Sequence, residues 1–378
     1  MICYNRTGKN NQRGGAGMRK KTYELMHKDR RVARIDEAGH CRIFFRSFMP
    51  YNLYLEESEE MDSLVNNITN FNFWCATRVL TLDRKYAKEI LNSIGVAQAV
   101  TDRQRAKIAL SYRCTSLTDV FWVREKGEKT CFSDINLYEN HLSNTFIDIA
   151  LRGKQYTVQN EYLARDLSTN GCFPKAWQRF GNGFRLLKDG DAEAVERELL
   201  ASRICRCFDV SQVLYEEDYF DGEKVTVSDN ITSKEYSIVP MEAFIIHSEN
   251  YGRDTKQYIL RLDRHNYYMM NIVDYLVGNT DRHWGNWGVL VDNANNKARR
   301  LHKLMDFNQA FHAYEDLEGA NCQTLFRRGM TQKAAAVQAV ERIGLNQLKE
   351  VEKDLFQNLP EYYDMFVRRL ELLRAVSG

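Results

Sequence analysis

Four polar side chains, Asp281, Arg282, His283 and Asn286, stand in one short loop of this 378-residue chain. The loop opens on the turn-forming run Asn279-Thr280-Asp281 and leads directly into the apolar strand pattern Trp287 to Val291. A second apolar run ends in Leu304-Met305-Asp306-Phe307-Asn308. Between them Asp292-Asn-Ala-Asn-Asn296 has turn chemistry, so the two runs read as a hairpin. Such a hairpin would bring Asp281, Asn286 and Asp306 into one small volume. Two carboxylates and an amide oxygen suit a hard divalent cation such as Mg²⁺, which shares carboxylates with nucleotide phosphates. Phosphoryl transfer needs that cation and a carboxylate beside the attacking hydroxyl. Asp281 and Asn286 keep the five-residue offset that separates base and metal-binding residue in protein-kinase catalytic loops.

The nucleotide side of such a site needs a cation for the phosphates and a carboxylate to hold it. Lys188 ends the strand-like run from Phe184, and Glu193, Glu196 and Glu198 follow on a helix for which Asp191 is a good N-cap. Any one of the three could reach Lys188. Upstream, Asn170-Gly171 and Pro174-Lys175 would form a turn whose N–H groups cover phosphates, although it is neither GxGxxG nor Walker A. Lys175 reads equally as a phosphate contact and as an exposed turn residue. His283, beside Asp281 among the candidate catalytic residues, could hydrogen-bond the loop or the transferred phosphate or simply pack, and structural support is the favoured reading because Asp281 already supplies the base. Arg282 is either a solvated cation or a brace paired with an acid. A lone Asp281 would merely cap a turn; the ordered set Lys188, Asp281, Asn286, Asp306 argues for a site.

The joint pattern resembles the HipA-like kinases. NTDRHxxN followed by an Asp at a strand end looks like their catalytic core, and TNGCFPKAW, RLLK and AVERE look like their nucleotide-binding half. YELMHKDRRVARI and the segment from SYRCTSLTDV to FSDINLYEN are similar to relatives with an extra N-terminal region. The resemblance implies Asp281 as catalytic base, with Asn286 and Asp306 as metal ligands. Lys188 would bind phosphate and Glu198 would pair with it. Ser168, Thr169 and Gly171 would occupy the phosphate-loop position, with autophosphorylation conceivable at the two hydroxyls. Met241, Glu242, Ala243 and Phe244 would form a hinge beside adenine. ATP and Mg²⁺ are the implied cofactors, a protein Ser or Thr the acceptor, and a small DNA-binding antitoxin a potential partner. The departures are Asn308 after Asp-Phe and Trp284-Gly285 within the loop. A phosphoinositide-type lipid kinase shares the loop pattern, and a weakly active fold serving as a binding or toxin–antitoxin module is the remaining alternative.

The rest of the chain must position these residues. The expected fold is α+β and bilobal, protein-kinase-like, with a small β-containing nucleotide lobe, a mainly helical C-lobe and an N-terminal α/β extension. The expected divisions are a basic, disordered tail over 1–21, the N-terminal region over 22–150, the ATP-binding lobe over 151–245 and the catalytic lobe over 246–378. Strands are expected at 23–26, 32–35 and 41–45, a helix over 83–94, and a capping box at Thr101-x-x-Gln104. Phe121–Val123 and Thr130–Phe132 read as a hairpin, Tyr156–Val158 and Val210–Tyr215 as strands. The stripe Leu345, Leu348, Val351, Leu355, Leu359 reads as helical, as does Phe366, Leu370, Leu373.

Composition narrows the classes. With 44% hydrophobic and 28% charged residues the chain is globular, and 53 basic against 51 acidic side chains leave a net charge of only +2. A broad cationic face for nucleic acid or membrane is therefore not expected, and direct nucleic-acid binding is not expected either. The tail concentrates Arg6, Lys9, Arg13, Arg19, Lys20 and Lys21 without an acid. No apolar run reaches the length of a membrane span. The nine scattered cysteines lack zinc spacing and read as reduced thiols in a cytoplasmic protein.

Overall fold

The computed structural model describes residues 21–79, 101–139, 174–181, 183–326 and 329–377. Residues 1–20 of the expected tail, the helix over 83–94, the strand over 156–158 and the loop with Ser168, Thr169 and Gly171 lie outside them, while Lys21 pairs with Glu125. The described residues form a mixed α/β fold of three antiparallel sheets and eight α-helices.

The first sheet has the order β3-β2-β1-β4, from β1 (Thr22–His27), β2 (Arg30–Asp36), β3 (Cys41–Ile43) and β4 (Phe121–Glu125). Successive residues of β1, β2 and β4 are buried, so both faces of the sheet are covered: α1 (Met61–Ala76) and α2 (Asp102–Ser111) pack in its main apolar cluster, and Met26 and Trp122 join a smaller one with Val120 and Phe132. The Thr101 capping box forms, its side chain and that of Gln104 satisfying each other's backbone N–H groups. The expected hairpin at 121–132 does not form. β4 pairs with β1 instead, and 132–135 turns into the one-turn helix α3 (Phe132–Ile135). The apolar residues of β4 are better buried against β1 than they could be in an isolated two-stranded ribbon.

The second sheet, β5-β6-β8-β7, comprises β5 (Lys175–Phe180), β6 (Gly183–Lys188), β7 (Tyr215–Phe220) and β8 (Glu223–Asp229), with α4 (Ala192–Cys205) packed on it. The strand expected at 210–215 begins only at Tyr215. Residues 211–213 instead run beside Leu304, through a parallel bridge at Gln212 and mutual backbone bonds of 2.8 Å. Ala176, Leu187, Val225 and Val227 join the same apolar cluster as the first sheet, so the N-terminal region and the second sheet share one core.

The third sheet, β11-β10-β9, comprises β9 (Tyr236–Pro240), β10 (Gly288–Asp292) and β11 (Lys297–Leu301). Gly288 is required there. A Cβ would lie 2.1 Å from the Val239 carbonyl oxygen, on the paired strand β9 where Pro240 stands opposite Gly288. Around this sheet lie α5 (Met241–Asn250), α6 (Thr255–Leu276), α7 (Gln332–Ile343) and α8 (Tyr363–Ser377), with one large core between them. Helix α6 is broken at Asp263, whose non-helical backbone lets its carboxylate accept the Leu301 N–H at 3.0 Å. The stripe from Leu345 to Leu359 is mostly irregular with one 3₁₀ turn, and Leu348 is exposed. Leu345 and Leu359 are buried and Val351 and Leu355 only partly so, each from irregular or 3₁₀ backbone, so a helical period is not what they encode.

Candidate functional site

Helix α6 delivers the loop. Its last turn carries Asp274, and Gly278 ends it at φ +59°, where a Cβ would press on Tyr314 and Arg369. Asp274 receives both arms of the Arg282 guanidinium, at 2.9 and 3.1 Å, and the Asn279 amide at 3.2 Å. Arg282 also donates to the carbonyls of Asn286, at 3.0 Å, and Met305. It is fully buried, so of its two readings the brace holds. Four bonds from one planar cation tie the helix end, the loop and the strand leading to Asp306 into a unit. Removing either partner of this buried pair would cost about 3–5 kcal/mol.

Within that frame Asn286 donates its amide to the Asp281 carbonyl at 2.8 Å and to its carboxylate at 3.1 Å. Asn279 accepts the Asp281 N–H at 3.2 Å. Burial raises the Asp281 carboxyl above the usual range, and the nearby Asp306 adds to this, while His283, Arg282 and Asn286 pull it down. The His283 ring is half exposed, with Nε2 3.7 Å from the Asp281 carboxylate. Its Nδ1 accepts the Gly285 N–H at 2.9 Å. A Cβ on Gly285 would fall 2.7 Å from that ring, which accounts for the glycine in this loop. Trp284 packs near Phe326 and is part exposed.

Lys188, the last residue of β6, faces this loop from the second sheet. Its ammonium donates at 2.8 Å to Glu198 on α4 and at 2.8 Å to Asp306. Burial alone would lower the lysine, but Asp306, Glu198 and Tyr215 outweigh it and hold it charged. Burial would raise Asp306, yet Lys188, Lys175 and Arg282 drive it well below the usual carboxylate range. Glu198 is fixed in turn by the Thr226 hydroxyl at 2.7 Å and the Phe307 N–H at 3.4 Å. The Tyr215 hydroxyl accepts from Lys188 at 3.4 Å and from the Asp306 N–H at 3.0 Å. Asp306 itself sits at φ +65°, a left-handed conformation that costs a non-glycine residue about 1–3 kcal/mol.

The structure therefore brings Lys188, Glu198 and Asp306 into direct contact, and Asp281, His283 and Asn286 into a second cluster. Arg282 links the two. Of the three glutamates Glu198 reaches Lys188, whereas Glu193 pairs with Arg197 and Glu196 with Lys224. Lys175 stands opposite Lys188 in the β5–β6 ladder, on the same face. Met241, Glu242, Ala243 and Phe244, expected as the hinge beside adenine, follow β9 directly. They form the first turn of α5, with Met241, Ala243 and Phe244 buried in the core, and the Met241 and Glu242 N–H groups brace Trp287 and Trp284 of the loop. The chain crosses from the second sheet to the third earlier, over 230–235. Sequence reasoning missed Asp274, Tyr215 and Thr226. Asp274 carried a usable signal, being an acid on the last turn of an apolar helix; the other two carried none.

The donor set fits a hard divalent cation. Asn286 spends its amide nitrogen on Asp281, leaving its oxygen, and Asp306 supplies a carboxylate. Among the described residues no group of three His, Cys, Asp or Glu forms a self-sufficient metal site. A cation here would complete its shell from phosphates and water, as Mg²⁺ does.

No protein-family model matches the chain, and no curated protein sequence matches it. Among solved structures, HipA of Shewanella oneidensis MR-1, in complex with HipB and its operator DNA, is similar over 94% of this chain and 99% of its own. The TM-score is 0.54 at 14% identity. The Helicobacter pylori proinflammatory kinase CtkA overlaps 54% of this chain and 92% of its own, with a TM-score of 0.41 at 14% identity. The chain has a HipA-like kinase fold. Among the described residues no helix is long and apolar enough to cross a membrane, and seven cysteines are free thiols.

Proposed function

We propose that the chain is an ATP- and Mg²⁺-dependent phosphotransferase of the HipA-like type, moving the γ-phosphate to a Ser or Thr hydroxyl of a protein. The observation that carries this reading is the buried Lys188–Glu198–Asp306 ion-pair set, closed against a loop in which Asn286 holds Asp281. Such a set is costly to bury and contributes little net stability, so its retention points to a ligand. Lys188, with Lys175 beside it, would bind the phosphates. Asn286 and Asp306 would hold Mg²⁺, which when bound neutralises charge on the phosphoryl oxygens. Asp281 would take the hydroxyl proton onto its carboxylate, its raised basicity suiting that task, and His283 would orient the acceptor or the phosphate. Met241, Glu242, Ala243 and Phe244, which follow β9 directly, would form the hinge beside adenine.

The same reading divides the chain into an N-terminal region over 22–150, an ATP-binding lobe over 151–245 and a catalytic lobe over 246–378, the last two forming a bilobal enzyme. The S. oneidensis protein was solved with HipB and DNA, which makes a small DNA-binding partner a reasonable candidate here. The test is a Mg²⁺-dependent ATP thermal shift, followed by radiolabel transfer with wild type and Asp281→Ala. The expected result is a shift in both proteins and transfer only in wild type. No shift at millimolar nucleotide defeats the reading, and a shift without transfer makes the protein a nucleotide-binding module. Mass spectrometry of the same incubation tells whether Ser168 or Thr169 takes phosphate.

A further inference from the structure

We propose that Tyr215 is a positioning residue of this site, whose hydroxyl holds Asp306 in its left-handed conformation and thereby sets the affinity for a metal–nucleotide pair. The inference rests on the nucleotide-site reading above and adds a residue that neither the loop motif nor the lysine–glutamate pair contains.

Tyr215 is buried at the start of β7, where a phenylalanine would fill the same apolar space. Its hydroxyl, however, does not end in the core. It accepts the Asp306 N–H at 3.0 Å and the Lys188 ammonium at 3.4 Å. The tyrosine is itself fixed from two sides. Its N–H donates to Ser202 on α4, the helix that carries Glu198, at 3.3 Å. The preceding residues are bonded to the strand leading into Asp306, Val213 N–H to the Leu304 carbonyl and Leu304 N–H to the Ser211 carbonyl, each at 2.8 Å. The two backbones are thus in a defined register, and the hydroxyl reaches the one N–H whose residue has an unfavourable φ of +65°.

Without the hydroxyl the Asp306 N–H loses its acceptor, and the carboxylate loses the backbone orientation that aims it between Lys188 and the Asn286 loop. A tyrosine that merely packs would affect stability alone. One that orients Asp306 affects only binding that depends on metal.

The test is equilibrium binding of a non-hydrolysable ATP analogue to the full chain by calorimetry, with Mg²⁺ and with EDTA. Tyr215→Phe is expected to raise the Kd of the Mg²⁺ complex about tenfold, the scale of one hydrogen bond to a charged site, with less than a twofold change in EDTA. In an Asp306→Ala background the same substitution is expected to have no effect on either value, because the tyrosine acts through Asp306. An unchanged Kd with Mg²⁺, or equal weakening with and without it, overturns the inference. Absence of Mg²⁺-dependent binding by wild type overturns the site reading itself, a different outcome. If Tyr215→Phe does not fold, a tyrosine fluorinated beside its hydroxyl at this position keeps the shape with a poorer acceptor. It should move the Mg²⁺ Kd in the same direction, and no movement counts against the proposal.

Discussion

At the scale of single residues, the site is a set of charges that hold one another in place. Lys188 is shared between Glu198 and Asp306, and the two carboxylates differ in their surroundings. Glu198 is locked by Thr226 and the Phe307 N–H, so it works as a fixed anchor. Asp306 is bonded through its backbone N–H to Tyr215 and through its carboxylate to Lys188, with Lys175 acting on the same carboxylate, so it is the acid that faces cations on more than one side. Glu198→Gln keeps an acceptor for Thr226 but removes the anchoring charge. It should lower kcat/KM for ATP about 10–100-fold, the size of a charge-assisted hydrogen bond, while circular dichroism stays native. Steady-state kinetics over an ATP series reads this directly. A loss confined to thermal stability would mean that the glutamate is only a packing partner.

At the scale of elements, the N-terminal region is fastened across the junction of the second and third sheets. Arg78, just past α1, makes a two-point pair with Asp119 at 2.9 and 2.6 Å and also donates to the carbonyls of Cys114 and Phe121. That holds the 114–121 segment, whose Leu117 and Thr118 carbonyls accept from the Thr232 hydroxyl and the Ile238 N–H. On the other side Asn296, in the β10–β11 turn, donates to the carbonyls of Ser47 and Met49. The connector between the two sheets is thus pinned from outside. Asp119→Ala leaves a buried guanidinium without its acid and should destabilise the protein by about 3–5 kcal/mol. Urea unfolding of that variant beside the double variant Arg78→Met/Asp119→Leu checks it, because the double variant removes the stranded charge and should recover much of the loss.

At the scale of the whole molecule, buried neutral histidines set an acid limit. Burial pushes His27 and His302 each down to about 4, against about 6.5 in an unfolded chain. Above pH 6.5 neither state binds these protons. As pH falls from 6.5 towards 4 the unfolded chain takes them up and the folded one does not, so stability falls across that window, by up to about 2.7 kcal/mol per pH unit for two sites. His27 lies edge-on between Phe48 and Phe121 with its Nε2 unbonded. His27→Phe should therefore leave stability near wild type at pH 7 and exceed it at pH 5. Melting curves at the two pH values test this, and equal differences at both would contradict it.

What the sequence determined alone was a set of local features. The five-residue offset of Asp281 and Asn286, the N-cap at Asp191 and the Thr101 capping box depend on neighbours within one turn of chain, so residue type and spacing suffice. The lysine, the glutamate and the second aspartate were legible as an ordered set, and the resemblance selected Glu198 among three glutamates. The tertiary structure decided what depends on distant partners. Only the packed fold reveals that Arg282 faces Asp274, that Tyr215 lies under Asp306, that β4 joins β1, and that 241–244 is a buried helical turn. Each of those outcomes is set by which surface a side chain is buried against, and burial is a property of the assembled molecule that no short window of sequence contains.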